Sequence, residues 1–247
     1  MLTPDLQTFL EYAGKGNVIP VYKPVLADML TPVSAYLRLA RGRRYSFLLE
    51  SVEGGERVGR YTFLGIDPYL VLRARGEELE LENPGRQRRR SRLLDLLRKI
   101  TAQYRPVPVP GLPPFSAGAV GYIGYDLVGQ FERVPAPPAD DVGMPDAVLM
   151  FFSNLLVFDH VKHQILIMAN VFRDEGRGSL EARYRAAQKQ IERIERLLGR
   201  NTPPARSGKK KAGAGPLHLR SRFSQRRFER AVERAKQYIS AGDIFQV

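Results

Sequence analysis

A chain of 247 residues that is 43% hydrophobic can bury a core of its own, and the absence of cysteine removes disulfides, thiolate metal sites and cysteine nucleophiles together. Three histidines (His160, His163, His218) are too few for an imidazole-rich metal centre, and no apolar run approaches the ~20 residues of a membrane span. The N-terminus carries charge and proline too early for a signal peptide, so a soluble cytoplasmic protein is expected.

The net charge of +13 is local rather than spread over a face. Residues 86–105 hold seven Arg and one Lys against Asp95, residues 200–234 hold eleven Lys and Arg against Glu229 and Glu233, and the remainder is slightly acidic. Neither stretch interleaves aromatics among its cations as base stacking requires. Arg88–Arg90 and Lys209–Lys211 therefore read as solvated loops, and nucleic acid is not expected as a partner.

Taken in chain order, Thr3-Pro4-Asp5 predicts a helix start with a hydroxyl cap, followed by Leu6, Phe9, Leu10 and Ala13 on one face. Val18–Tyr22 reads as a short strand. Thr31-Pro32 repeats the start signal, with Ala35, Tyr36 and Leu39 inward and Gly42 as the stop. Tyr45–Ser51, Tyr61–Leu64 and Tyr69–Arg73 are strand-like, and Leu79 and Leu81 alternate with glutamates as in a half-exposed strand. Ser91 is expected to cap a helix with Leu93, Leu94, Leu97 and Ile100 inward, before a proline-rich spacer from Pro106 to Pro114.

The apolar runs Ala147–Phe158 and Gln164–Phe172, joined by Asp159–His163, predict a buried hairpin. Ser179 should cap the longest helix, with Leu180, Tyr184, Ala187, Ile191, Ile194 and Leu198 inward and Gly199 at its end. Residues 200–216 are polar and of low complexity, a linker. Ser224 starts a last helix with Phe228, Val232, Ala235 and Ile239 in register, stopped by Gly242; Asp243–Val247 then reads as the opening of a strand that is cut short.

Few motifs rise above a structural reading. Gly118, Gly121 and Gly124 do not match a dinucleotide fingerprint, and close backbone packing in a sheet accounts for them. The glycine-rich stretch 54–60 lacks the end of a phosphate loop and reads as a turn. His160 and His163 have no further ligand nearby for a metal, and nothing places a Ser/His/Asp triad. Glu50-Ser51, at the end of an apolar strand, could meet a ligand ammonium through the carboxylate and exchange hydrogen bonds through the hydroxyl. Arg60, across the turn, could meet a ligand carboxylate. An ordinary solvated strand end explains the same residues.

Several segments together resemble component I of anthranilate synthase. They are Val18–Asp28 with Thr31–Leu37, Phe47–Ser51 with Gly59–Gly65, Gly118–Asp126 with Met144–Asp146, and Tyr238–Val247. They run nearly end to end, the linker at 200–216 being least family-like. The first two pairs are the more specific; the glycine-rich block and the last segment are shared across chorismate-utilising enzymes.

The resemblance implies an α+β fold, with antiparallel β-sheets forming part of a β-sandwich, flanked by helices and truncated before the chorismate-binding portion. It implies residues 1–199 as a tryptophan-regulatory N-terminal domain, 200–222 as a basic flexible linker, and 223–247 as the start of the catalytic domain. The intact enzyme is a lyase that makes anthranilate and pyruvate from chorismate and ammonia, with Mg²⁺, in tryptophan biosynthesis. A glutamine amidotransferase subunit, component II, supplies the ammonia. Tryptophan as feedback inhibitor is expected near Leu48-Leu49-Glu50-Ser51, with Ser51, Glu50 and Leu49 matching the family motif and Arg60 chosen by position. No catalytic or metal residue carries over, so this chain alone is expected to bind no metal and to be inactive. Aminodeoxychorismate synthase component I, and a non-catalytic tryptophan-binding or subunit-docking module, are the alternatives.

Overall fold

Alternating and continuous apolar runs punctuated by turn residues fold into two antiparallel sheets of five strands each. The computed structural model describes residues 1–50, 59–83, 85–135, 140, 142–176, 178–201 and 220–246. The chain divides into a larger unit, Met1–Pro203, and a smaller one, Pro204–Val247.

In the larger unit the first sheet has the order β1 (Val18–Leu26), β10 (Gln164–Phe172), β9 (Asn154–Asp159), β3 (Tyr61–Ile66) and β2 (Ser46–Leu49). One face carries α1 (Leu6–Ala13), α2 (Pro32–Leu39) and α4 (Leu180–Leu198), with Phe9, Leu39, Leu64, Ile165, Ile191 and Ile194 in the shared core. The second sheet has the order β6 (Gly85–Arg90), β5 (Glu78–Asn83), β4 (Leu70–Arg75), β8 (Ala147–Phe152) and β7 (Gly118–Ile123). Its strands pack α3 (Leu93–Thr101) through Leu72, Leu79, Leu93 and Leu96.

The sheets meet where β8 passes directly into β9 through Ser153. Phe47 and Phe152 stack edge-on there, 4.9 Å apart, with Leu155, Val157, Leu166 and Met168 around them. Gly65 makes this possible, because a Cβ on it would lie 2.3 Å from the Phe47 ring. The Asn170 amide donates to the carbonyls of Ser153 (3.1 Å) and Ser116 (2.8 Å), satisfying the backbone at the crossing.

Much of the expected pattern is present. Thr31 and Ser34 form a capping box on α2, and Ser179 accepts from Ala182 N at the start of α4, whose inward stripe is the expected one. Gly121 sits so close to β8 that a Cβ would fall 1.8 Å from the Val148 carbonyl oxygen, which is the close sheet packing expected of it.

Other expectations are corrected. Asp5, not Thr3, caps α1 through Thr8 N (2.8 Å), because the Thr3 backbone is occupied by reciprocal bonds to Tyr22. The first strand continues past Tyr22 to Leu26, since β10 pairs along its whole length. Helix α3 starts after Arg92, where the Gln130 side chain accepts from Leu93 N (3.1 Å), and Leu96 rather than Leu94 is buried. The run Ala147–Phe158 is two strands in different sheets, not one arm of a hairpin. Arg88–Arg90 belong to a strand, because Arg86, Arg88 and Arg90 stand opposite Glu82, Glu80 and Glu78 in register.

The described part of the smaller unit is a helix, α5 (Gln225–Ala241), capped by Ser224 and closed by Gly242 at φ +82°. Its apolar stripe, including Phe228, Val232 and Ile239, is exposed. Asp243–Gln246 form no strand: Gly242 turns the chain and no partner strand lies among the described residues. The expected linker falls largely on residues 202–219, outside the described residues. Among the described residues no helix is long and apolar enough to cross a membrane.

Candidate functional site

Among the described residues strand β2 is an edge strand paired to β3, with Leu49 opposite Phe63 and Leu48 opposite Leu64. Alternation sends Leu48 toward the helices and Phe47 toward the core between the sheets. Leu49 is 47% exposed and Glu50, just past the strand, is exposed as well. Ser51 and the glycine-rich stretch through Val58, read from sequence as a turn, lie outside the described residues.

Arg60 immediately precedes β3, and Tyr61 is paired with Asp159 at the end of β9. Glu50, Arg60 and Asp159 therefore leave the sheet at one end, on three adjacent strands. The Arg60 guanidinium donates through Nε (3.1 Å) and Nη2 (2.8 Å) to the two carboxylate oxygens of Asp159 and lies 4.8 Å over the Tyr61 ring. The edge that a ligand carboxylate would meet is thus taken up within the protein. Asp159 also accepts from Val161 N (3.1 Å) and Lys162 N (3.2 Å), which fixes the turn into β10.

The Asp159 side chain is only 3% exposed. Burial opposes its charge, but Arg60 and the amides of Lys162 and Val161 outweigh that and hold the carboxyl below its ordinary value. The hydrogen bond to Asp159 in turn raises the Arg60 guanidinium. Beside this pair, Thr62 Oγ1 and His160 Nε2 are 2.8 Å apart, and His160 N donates to Arg60 O (2.9 Å). His160 thus has a partner within the sheet end, while His163 occupies the turn at φ +50°.

Sequence reasoning missed Asp159 and Thr62. An aspartate two and three residues before the amides it accepts from is a readable turn signal. Its pairing with an arginine 99 residues away is not.

Half-buried Tyr61 and Phe63 extend the apolar surface beside Leu49. The sheet end therefore presents a partly exposed apolar edge, an exposed carboxylate and a charge pair already formed within the protein. Among the described residues no three His, Asp or Glu converge as a metal site.

The family description "chorismate binding enzyme" matches residues 44–247, more than four-fifths of the chain. The chain belongs to the chorismate-binding enzyme family. Within that family it is 40% identical, over its whole length, to a protein from Synechocystis named anthranilate synthase component 1, and 38% identical, also over its whole length, to one of the same name from Acetivibrio thermocellus. The chain spans about half the length of these curated relatives, 50% in each case. A crystal structure of anthranilate synthase component I from Streptococcus pneumoniae matches 89% of the chain and 46% of that protein, with a TM-score of 0.51 and 26% identity. The expected α+β class, with antiparallel sheets and flanking helices, is the one found in this chorismate-binding family member.

Proposed function

We propose that this chain is the N-terminal portion of an anthranilate synthase component I, a lyase that in its intact form converts chorismate and ammonia into anthranilate and pyruvate. The observation that carries the reading is the 40% identity, extending over the whole chain, to a relative bearing that name. In this reading component II, a glutamine amidotransferase, supplies the ammonia, and the protein works in the cytoplasm. Residues 1–199 form the regulatory domain, 200–222 a linker and 223–247 the start of the catalytic portion.

Mg²⁺ belongs to the intact enzyme. Among the described residues of this chain no three His, Asp or Glu converge to hold it. The exposed apolar residues along β7 and just beyond it, Tyr122, Ile123 and Tyr125, with Met144 just before β8, suit a surface that the rest of a longer polypeptide covers. In this reading the catalytic residues lie in the remainder of the intact enzyme, so the 247-residue chain alone has no turnover.

Tryptophan is the inhibitor in this reading, bound at the β2–β3 end. Its indole lies against Leu49 and the neighbouring aromatic side chains, its ammonium meets Glu50, and Ser51 hydrogen-bonds its head group. Arg60 acts as a positioning residue: it fixes Asp159 and Tyr61 and so holds the strand ends in place.

The experiment is to assay the product of the full-length gene with chorismate, ammonium and Mg²⁺, following anthranilate fluorescence and pyruvate. Both products are expected; aminodeoxychorismate with retained pyruvyl would overturn the assignment. In the same protein Ser51→Ala and Glu50→Gln should raise the tryptophan concentration for half-inhibition by about tenfold while leaving kcat unchanged. Unaltered inhibition would remove tryptophan from this site.

A further inference from the structure

A second concavity lies on the opposite sheet, between α3 and strands β4–β6, with a volume of about 430 Å³. That is within the range of about 300–1,000 Å³ usual for small-molecule sites. Its apolar lining comes from Leu70 and Leu81 on the sheet and from Leu96 and Ile100 on α3. Tyr69 and Tyr104 form one wall: the Tyr69 hydroxyl donates to that of Tyr104 (3.3 Å), which donates to Glu175 Oε1 (2.9 Å). Burial, reinforced by neighbouring Glu175, pushes both phenols up, so they stay neutral.

The cations at this cavity differ from their neighbours. Arg88 and Arg90 stand 3.9 and 3.3 Å from Glu80 and Glu77, and Arg98 stands 3.5 Å from Asp95. Arg89 and Lys99 line the cavity and pair with no carboxylate among the described residues; Arg89 reaches only the Gln87 amide oxygen, at 3.3 Å. The strand register explains the difference. Arg86, Arg88 and Arg90 share the glutamate face of the hairpin, whereas Arg89 stands opposite Leu79, on the face that α3 covers. Lys99 is on α3 itself. Two cations against the single carboxylate of Glu175, which Tyr104 already occupies, leave an excess of positive charge over an apolar floor.

We propose that this cavity binds a small aromatic carboxylate, at a place separate from the β2–β3 end. The carboxylate meets Arg89, whose planar fork suits it, with Lys99 as a second point charge. The ring lies on Leu81, Leu96 and Ile100. The amides of Asn83, Gln87 and Gln103 at the cavity can bond ring substituents without charge selection.

The test uses 4-fluorobenzoate as probe, followed by fluorine NMR line-broadening on the 247-residue chain. Saturable binding is expected, weakened about tenfold by Arg89→Gln and by Lys99→Gln and further in the double variant. Both positions are exposed, and an unchanged melting curve shows that the variants fold. Neutral fluorobenzene should bind far more weakly, and inorganic phosphate should displace the probe only at much higher concentration than benzoate does. Equal binding by the double variant, equal binding of fluorobenzene, or phosphate competing as well as benzoate would each overturn the proposal.

Discussion

Asp159 is the residue on which the end of the first sheet turns. It is a buried carboxylate held by one guanidinium and two amides, and every one of those partners favours its charged form. Because its carboxyl sits below the ordinary value when folded, it binds its proton less readily in the native chain than in the unfolded one. Its contribution is therefore complete above the unfolded value of about 3.9 and is lost as pH falls through the lower folded value. Asp159→Asn should cost about 1–3 kcal/mol at neutral pH, read by urea unfolding, and should flatten the fall in stability on the acid side. An Asp159→Asn variant with an unchanged acid profile would place that fall elsewhere. Gly121 permits a second residue-scale prediction. Gly121→Ala sets a Cβ against the Val148 backbone, which cannot swing aside as a side chain could, so β7 must separate from β8. A loss of about 1–3 kcal/mol in thermal or urea unfolding is expected.

Elements show the same logic in larger units. The β5–β6 hairpin has no apolar face on β6, where every residue is exposed, and it is held in register by opposed charges. Arg88→Glu places like charges opposite one another at Glu80. It should cost about 0.2–1 kcal/mol at low salt, with the difference shrinking at high salt as the Debye length shortens. Helix α4 behaves in the opposite way: its stability comes from packing on β10 and β1 and on α1 and α2. Ile194→Ala, at a fully buried position, should cost about 2–5 kcal/mol in the same measurement.

For the larger unit as a whole, the shared ground is the Ser153 crossing. Phe152 belongs to a strand of one sheet and packs on Phe47 of the other, so Phe152→Ala should cost about 3–5 kcal/mol. Amide exchange is expected to accelerate in β8 and β9 alike. Acceleration confined to β8 would show that the two sheets open independently.

Ser179, Ser224 and Thr31 were readable as caps, and the stripe Tyr184–Ala187–Ile191–Ile194–Leu198 as a buried face, because each depends on neighbours within a turn or two of the chain. Leu48-Leu49 was legible as the end of a strand for a similar reason. Pairing between distant strands was not legible. Nothing in the run Ala147–Phe158 marks Ser153 as the point where the chain changes sheets, since both halves are equally apolar. Arg88–Arg90 read as a loop because the glutamates that make it a strand become partners only after the turn has formed. Arg60 looked available to a ligand because Asp159 is remote in sequence.

The chain by itself determined its local elements, the family and the residues that end β2, since capping, periodicity and motif spacing are properties of contiguous residues. Tertiary structure alone decided that Arg60 faces Asp159, that the apolar run divides between two sheets, and that Arg89 and Lys99 flank an apolar cavity with no carboxylate paired to them among the described residues. The physical reason is that charge pairing and burial act through space, and spatial neighbours are fixed only when the sheets close.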